Sequence, residues 1–280
     1  MTAVEHRFRA PDGRTIAVVE RGDPAGVPVL ELHGTPGSRL DGPDGSALAG
    51  VRLLSVDRPG YGGSDRLPGR RVVDTEADVA VVIGALGLPR VAVTGGGGRG
   101  PHALAAAWAL PHRIAVAECR TALAPADADG LDWSEALPAS LVAELGWARE
   151  GVARLGAELH REVLADLDGA GPVAPVTAPT LPDLGPGPAA RPASGKDLGE
   201  ALRSGVHGWV DDDLALVAAW GFDPAEIEVP VIVRWDPHGP AAPHGAWLAG
   251  RIRGAEPVPQ LADDPAERSR QLTELAARLR

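Results

Sequence analysis

The stretch Val91-Ala-Val-Thr-Gly-Gly-Gly-Gly-Arg-Gly-Pro-His-Ala-Leu-Ala105 decides how this chain reads. Its first residues are apolar and β-branched, which favours a buried strand. The glycines from Gly95 to Gly100 make a tight turn, and Pro101 opens an Ala-rich helical run. A turn where a buried strand passes into a helix commonly presents a catalytic side chain. This one offers no hydroxyl, thiol or carboxylate from Gly95 to Gly100.

Working outward, similar strand-and-helix units flank it. Phe8 to Asp23 carries two β-like runs around the turn signal Pro11-Asp-Gly13, an opening hairpin. Val27–Leu32 ends in His33-Gly-Thr-Pro-Gly37, and Val51–Val56 ends in Asp57-Arg-Pro-Gly-Tyr-Gly-Gly-Ser-Asp65. Asp74 to Leu86 has apolar residues at helical spacing. Arg113 to Glu118 is the next strand. Strands alternating with helices predict an α/β fold with a mostly parallel sheet covered on both faces.

The alternation then breaks. Helices are expected over Trp133–Leu145, Ala148–Leu167 and Lys196–Arg203, with a Pro/Gly/Ala-rich mobile loop over 168–194. The sheet resumes at Pro230–Trp235, followed by a helix near His244–Ile252, a weak strand at Glu256–Leu261 and a last helix from Pro265. The expected organisation is a core of 1–122 and 211–280 with a helical lid, 123–210, over the carboxyl ends of the strands.

Composition excludes several classes. The net charge of −11 and the scattered arginines argue against nucleic acid, which needs a concentrated basic patch. No run of eighteen apolar residues exists to span a membrane, and the N-terminus lacks the apolar core of a secretory signal. The single cysteine, Cys119, excludes an internal disulfide framework. A cytoplasmic protein is expected. No His/Asp/Glu spacing suggests a metal, and neither a dinucleotide fingerprint nor a P-loop is present, so no cofactor is expected. Seven of the ten aromatic residues are Trp, weak support for an aromatic-lined cavity.

Taken together, the chain resembles the α/β-hydrolase fold family over essentially its whole length. His33-Gly-Thr-Pro-Gly-Ser38 resembles the loop that gives one oxyanion-hole amide. Asp57–Asp65 resembles the signature after the following strand, and Val91–Ala105 the nucleophile elbow. Trp220–Val231, with His244–Ala249 and Ile252–Glu256, resembles the region around the late strand that delivers the catalytic acid. The resemblance implies a Ser-His-Asp triad, and each of its positions is empty here. Gly97 takes the place of the nucleophile and Arg99 that of a motif glycine; Thr94, the nearest hydroxyl, belongs to the strand. The acid position falls near His238 or Gly239, with Asp236 arriving too early. Pro265 stands near the histidine position, and no histidine follows His244.

What remains is a site that can hold an acyl group without attacking it. By resemblance, the Thr35 and Gly98 amides form an oxyanion hole. Asp236 and His238 are candidates for a relocated acid–base element. Arg99 is a candidate anion clamp, and Glu118 either a displaced acid or a buried, paired charge. His33 and His102 are read as packing or hydrogen-bonding residues that could face a ligand. Cys119 reads as an apolar filler, and Asp211-Asp-Asp213 as a helix cap and first turn. Trp133, Trp147 and Trp209 are candidate walls of a lid cavity. Two readings emerge: a non-hydrolytic, cofactor-independent enzyme that cyclises, isomerises or eliminates within an apolar small molecule in specialised metabolism, or an inactive pseudo-hydrolase that binds a ligand or partner. A hydrolase with relocated residues is a third.

Overall fold

The computed structural model describes residues 3–97, 100–168, 197–260 and 265–279. Gly98, Arg99, residues 169–196, which include all but the first residue of the mobile segment expected over 168–194, and residues 261–264 lie outside the described residues.

Eight strands make one sheet: β1 (Val4–Arg9), β2 (Thr15–Gly22), β3 (Val27–Leu32), β4 (Val51–Val56), β5 (Val91–Gly96), β6 (Ile114–Arg120), β7 (Val231–Trp235) and β8 (Glu256–Pro259). Their spatial order is β1-β2-β4-β3-β5-β6-β7-β8. β2 pairs antiparallel with both β1 and β4, and every pair from β4 through β8 is parallel. The central strands are nearly continuous runs of Val, Leu, Ile and Ala because both faces are covered. Helices α1 (Thr75–Ala85) and α2 (Gly100–Ala109) pack into the cluster on one face, where Leu30, Val93 and Val233 are fully buried. On the other face, α8 (Pro265–Ala277) covers Val29, Leu53, Ala92 and Ile232. Between them in the chain, α7 (Ala242–Arg251) packs on β7. No helix among the described residues is long and apolar enough to cross a membrane.

The insertion between β6 and β7 holds α3 (Ala139–Glu150), α4 (Val152–Asp168), α5 (Asp197–Ala201) and α6 (His207–Val217). It has its own small core of Leu155, Leu159, Val163, Leu202, Val206 and Val210. The helix expected over Trp133–Leu145 starts only at Ala139, because Pro138 fits the position before a first turn but not a helix interior. It ends at Gly151, whose φ of +115° breaks it from α4. A second departure matters more. Asp211-Asp-Asp213 do not cap a helix; they lie in the middle of α6, all three buried, so the expected boundary at 210/211 falls inside a helix.

Candidate functional site

β5 ends at Gly96, and Gly97 follows at φ +67°. That is the left-handed backbone a nucleophile elbow requires, and glycine adopts it without the cost a Cβ would bring. Gly97 therefore presents backbone but no side chain. α2 begins at Gly100, so its unpaired N–H groups and the positive end of its dipole face the turn. Thr94 is not a substitute nucleophile: it is fully buried and donates its hydroxyl to Glu118 Oε2 at 3.0 Å.

Facing this turn from the chain's first parallel unit is the loop after β3. His33 is buried and ties two loops together: Nε2 accepts the Arg58 N–H at 2.9 Å, leaving Nδ1–H to donate to the Gly34 carbonyl at 2.7 Å. Its ring stands edge-on to Tyr61, centroids 4.8 Å apart. Next to it, the Thr35 hydroxyl donates to Asp212 Oδ2 at 2.5 Å and accepts from Arg58 Nη2 at 2.9 Å.

Asp212 is the residue that sequence reasoning missed. It lies on α6 with its side chain 1 % exposed. Oδ1 accepts from Arg58 Nη1 and pairs with Arg70 Nη1, both at 2.6 Å, and Oδ2 also accepts from the Tyr61 hydroxyl at 2.7 Å. His102 Nε2 is 3.8 Å away, and His102 Nδ1 meets the Thr75 hydroxyl at 2.7 Å. Burial alone would favour the neutral acid, but the charges of Arg58, Arg70 and His102 outweigh it and hold the carboxyl well below its ordinary range. Burial, and then the Asp212 charge, push the Tyr61 hydroxyl well up, so it stays a proton donor. Asp212 is thus a permanent anion and a poor proton acceptor. Two facing glycines allow the close approach of α6: a Cβ on Gly60 would lie 2.8 Å from Gly208 Cα. One position earlier, Asp211 forms a two-point ion pair with Arg66 at 2.7 and 2.9 Å. These bonds fasten the lid helix directly to the Thr35 loop.

The other candidates are dispersed. Asp236 and His238 lie exposed after β7, and Asp236 Oδ1 accepts the His238 N–H at 2.8 Å, an ordinary turn contact. Glu118 is buried on the interior strand β6, bonded to Thr94 and to Arg234 Nε at 2.5 Å, the arrangement of a paired structural charge. Arg120 packs beside the elbow, where a Cβ on Gly96 would come within 2.9 Å of its Nη2. Burial pushes the Cys119 thiol up to about 12, which leaves it protonated and inert. Trp133 donates to the Ala124 carbonyl at 2.8 Å and lies edge-on to His244. Trp209 donates to Glu144 at 2.6 Å and, with Trp147, packs on the lid core. The structure brings Thr35 and His33 together with His102 around Asp212; it does not bring Asp236, His238, Glu118 or the lid tryptophans into that group.

No protein-family model and no curated protein matches the sequence. Solved structures do. An esterase from Exiguobacterium antarcticum is 18% identical, with 98% of this chain and 100% of that one covered at a TM-score of 0.66. The enol-lactonase from Burkholderia xenovorans LB400 is 20% identical over 98% and 99% at 0.60. An α/β hydrolase fold protein from Nakamurella multipartita is 20% identical over 99% and 100% at 0.59. Sheet order, the glycine elbow before α2 and likeness across nearly the whole chain agree: this protein has the α/β-hydrolase fold.

Proposed function

We propose that this chain is a non-hydrolytic protein on a hydrolase scaffold, which holds a carbonyl-bearing apolar small molecule over Gly97 and steers its cyclisation, isomerisation or elimination. The observation that carries the reading is Gly97 itself, in elbow backbone geometry with no atom to attack with. The fold's neighbours include esterases and a lactonase, so an acyl or lactone carbonyl is the group such a pocket holds. The Thr35 amide and the N-terminus of α2 can polarise that oxygen. The titratable groups around Thr35 are engaged with one another: Asp212 is a fixed anion and Tyr61 a fixed donor. Chemistry there is limited to restraint and carbonyl polarisation, which suits a substrate that reacts once folded correctly. Specialised metabolism is the setting in which folds are reused this way.

A second reading rests on the Asp212 contacts. A lid bonded to the Thr35 loop through several charged groups favours a ligand- or partner-binding protein with no turnover. Relocated hydrolysis has the weakest support, since Asp236 is exposed and already accepts from the His238 backbone.

The decisive assay is p-nitrophenyl ester cleavage. Neither a stoichiometric burst nor saturable turnover is expected, and Asp236→Asn and His238→Ala should match the parent. A burst or triad-like turnover refutes the proposal. Mass spectrometry of a metabolite extract incubated with the protein then separates the two readings. The enzyme consumes one compound and yields an isomer or an elimination product; the binding protein retains a compound and makes nothing.

A further inference from the structure

Away from the elbow, a cavity of about 400 Å³ opens between the segment that leaves β6, the segment that returns from α6 to β7, and helix α7. Its wall includes neither the Thr35 loop nor the elbow, so a ligand held there is independent of the function proposed for Gly97. The size suits a small ring compound. Trp220, Phe222 and Trp247 form the apolar wall. Phe222 is itself braced between Trp108 and Trp220, ring centroids 5.5 and 5.7 Å away. In a chain with so few aromatic side chains, this concentration of rings on one cavity provides flat faces for a flat ligand.

The rim is acidic. Asp127, Asp129 and Asp223 face the cavity with a single guanidinium, that of Arg251. Three carboxylates against one cation leave two negative charges. Arg251 is bonded at two points to Asp223, Nε to Oδ1 at 3.0 Å and Nη2 to Oδ2 at 2.5 Å. Asp127 and Asp129, both exposed, have no ion-pair partner within 4.0 Å among the described residues. The Trp247 ring already hosts a cation on its face: Arg251 Cζ lies 6.0 Å from its centroid. Arg251 is also the last residue of α7, so the negative end of that helix adds to the field. Trp220 is almost wholly buried and backs this wall from behind, with its indole Nε1 closed off from the cavity.

We infer that this cavity is a second ligand site, selective for an aromatic amine: a flat ring against Phe222 and Trp247, over the buried Trp220, and an ammonium group toward Asp127 and Asp129. An anion of the same shape is repelled by the two uncompensated carboxylates. A neutral analogue keeps the stacking but loses the charge attraction.

Three probes of similar size and the same phenol ring test this by titration calorimetry and tryptophan fluorescence at low salt: tyramine, the neutral alcohol tyrosol, and 4-hydroxyphenylacetate. Tyramine should saturate and bind about tenfold more tightly than tyrosol, with the acid weaker still. The double change Asp127→Asn with Asp129→Asn, made at exposed positions, should reduce tyramine to the level of tyrosol while leaving Tm unchanged. Trp247→Ala should weaken tyramine and tyrosol alike; if that variant does not fold, the double change decides alone. Absence of saturable tyramine binding, equal affinity for all three probes, or an unaltered preference in the double variant overturns the inference.

Discussion

Replacing Asp212 by Asn keeps its shape and removes its charge, and the cost can be worked from the contacts. The carboxylate serves Arg58 and Arg70 at 2.6 Å, Tyr61 at 2.7 Å and Thr35 at 2.5 Å. The two arginine side chains are 2 % and 4 % exposed, so water cannot take over the lost charge. The change removes the carboxylate's negative charge from between Arg58 and Arg70 and raises the net positive charge of the hub by one. Removing one partner of such a buried pair costs about 3–5 kcal/mol, against a typical total stability of about 5–15 kcal/mol. Urea unfolding at pH 7 should therefore show Asp212→Asn with a midpoint lowered accordingly at an unchanged m-value. Arg70→Met in the same background removes one orphaned charge and fills its volume. The double variant should lose less than the sum of the singles by at least about 1 kcal/mol. A loss below about 1 kcal/mol for Asp212→Asn, or strict additivity, would mean that α6 is not bonded to the Thr35 loop in solution.

Two further outcomes are expected. Gly97→Ala places a Cβ at φ +67°, a strain of about 1–2 kcal/mol, partly offset by about 0.4–1 kcal/mol of lost unfolded-state entropy; a net loss near 1 kcal/mol is expected in urea unfolding, and a gain in stability would show that the backbone is not left-handed there. Burial lowers the values of His244 and, with help from Arg66, of His207, so the folded protein refuses protons that the unfolded chain accepts from about pH 6.5 downward. Stability should accordingly be level above about pH 7 and fall as pH drops toward 5, whereas the Asp212 contribution is present throughout that window and is lost only below about pH 3.9. His244→Asn, which can still accept the Ala124 N–H, should flatten the slope; an unchanged slope would remove His244 as its source.

The sheet was legible because its strands are buried on both sides and announce themselves as apolar runs closed by Gly and Pro. The turn into α2 was legible for the same reason, and its Gly97 takes the left-handed backbone expected there. Asp212 was not. Three consecutive aspartates after Trp209 have the composition of a helix cap, and local propensity favours that reading. What overrides it is tertiary: Arg58 and Tyr61 lie 154 and 151 positions away, and no local pattern reports a partner at that distance. Asp236 illustrates the converse. Its place after a late strand is suggestive, yet a turn of the form Asp-Pro-His supplies a nearer acceptor role for the carboxylate. The excess of Trp pointed to an aromatic cavity. Rings do line one, but Trp133 and Trp209 of the lid are anchored to Ala124 and Glu144, whereas Trp220 and Trp247 form walls elsewhere.

Packing dictates the backbone of this turn. α2 meets β6 so closely that a Cβ on Gly100 would lie 2.9 Å from Cβ of Cys119, and Cys119 is itself fully buried. The turn joins β5, paired on both edges, to a helix seated tightly against β6. Gly97, at φ +67°, takes the left-handed step after β5. In a hydrolase a Cβ at this point stores about 1–3 kcal/mol of strain in order to aim a nucleophile. Glycine at φ +67° takes the same turn without that strain. The carboxylate at Asp212 and the guanidinium groups around it hold the opposite wall by contacts that make no demand on Gly97. The backbone of this turn and the wall at Asp212 are thus held by separate contacts, so a change of side chain at one need not disturb the other.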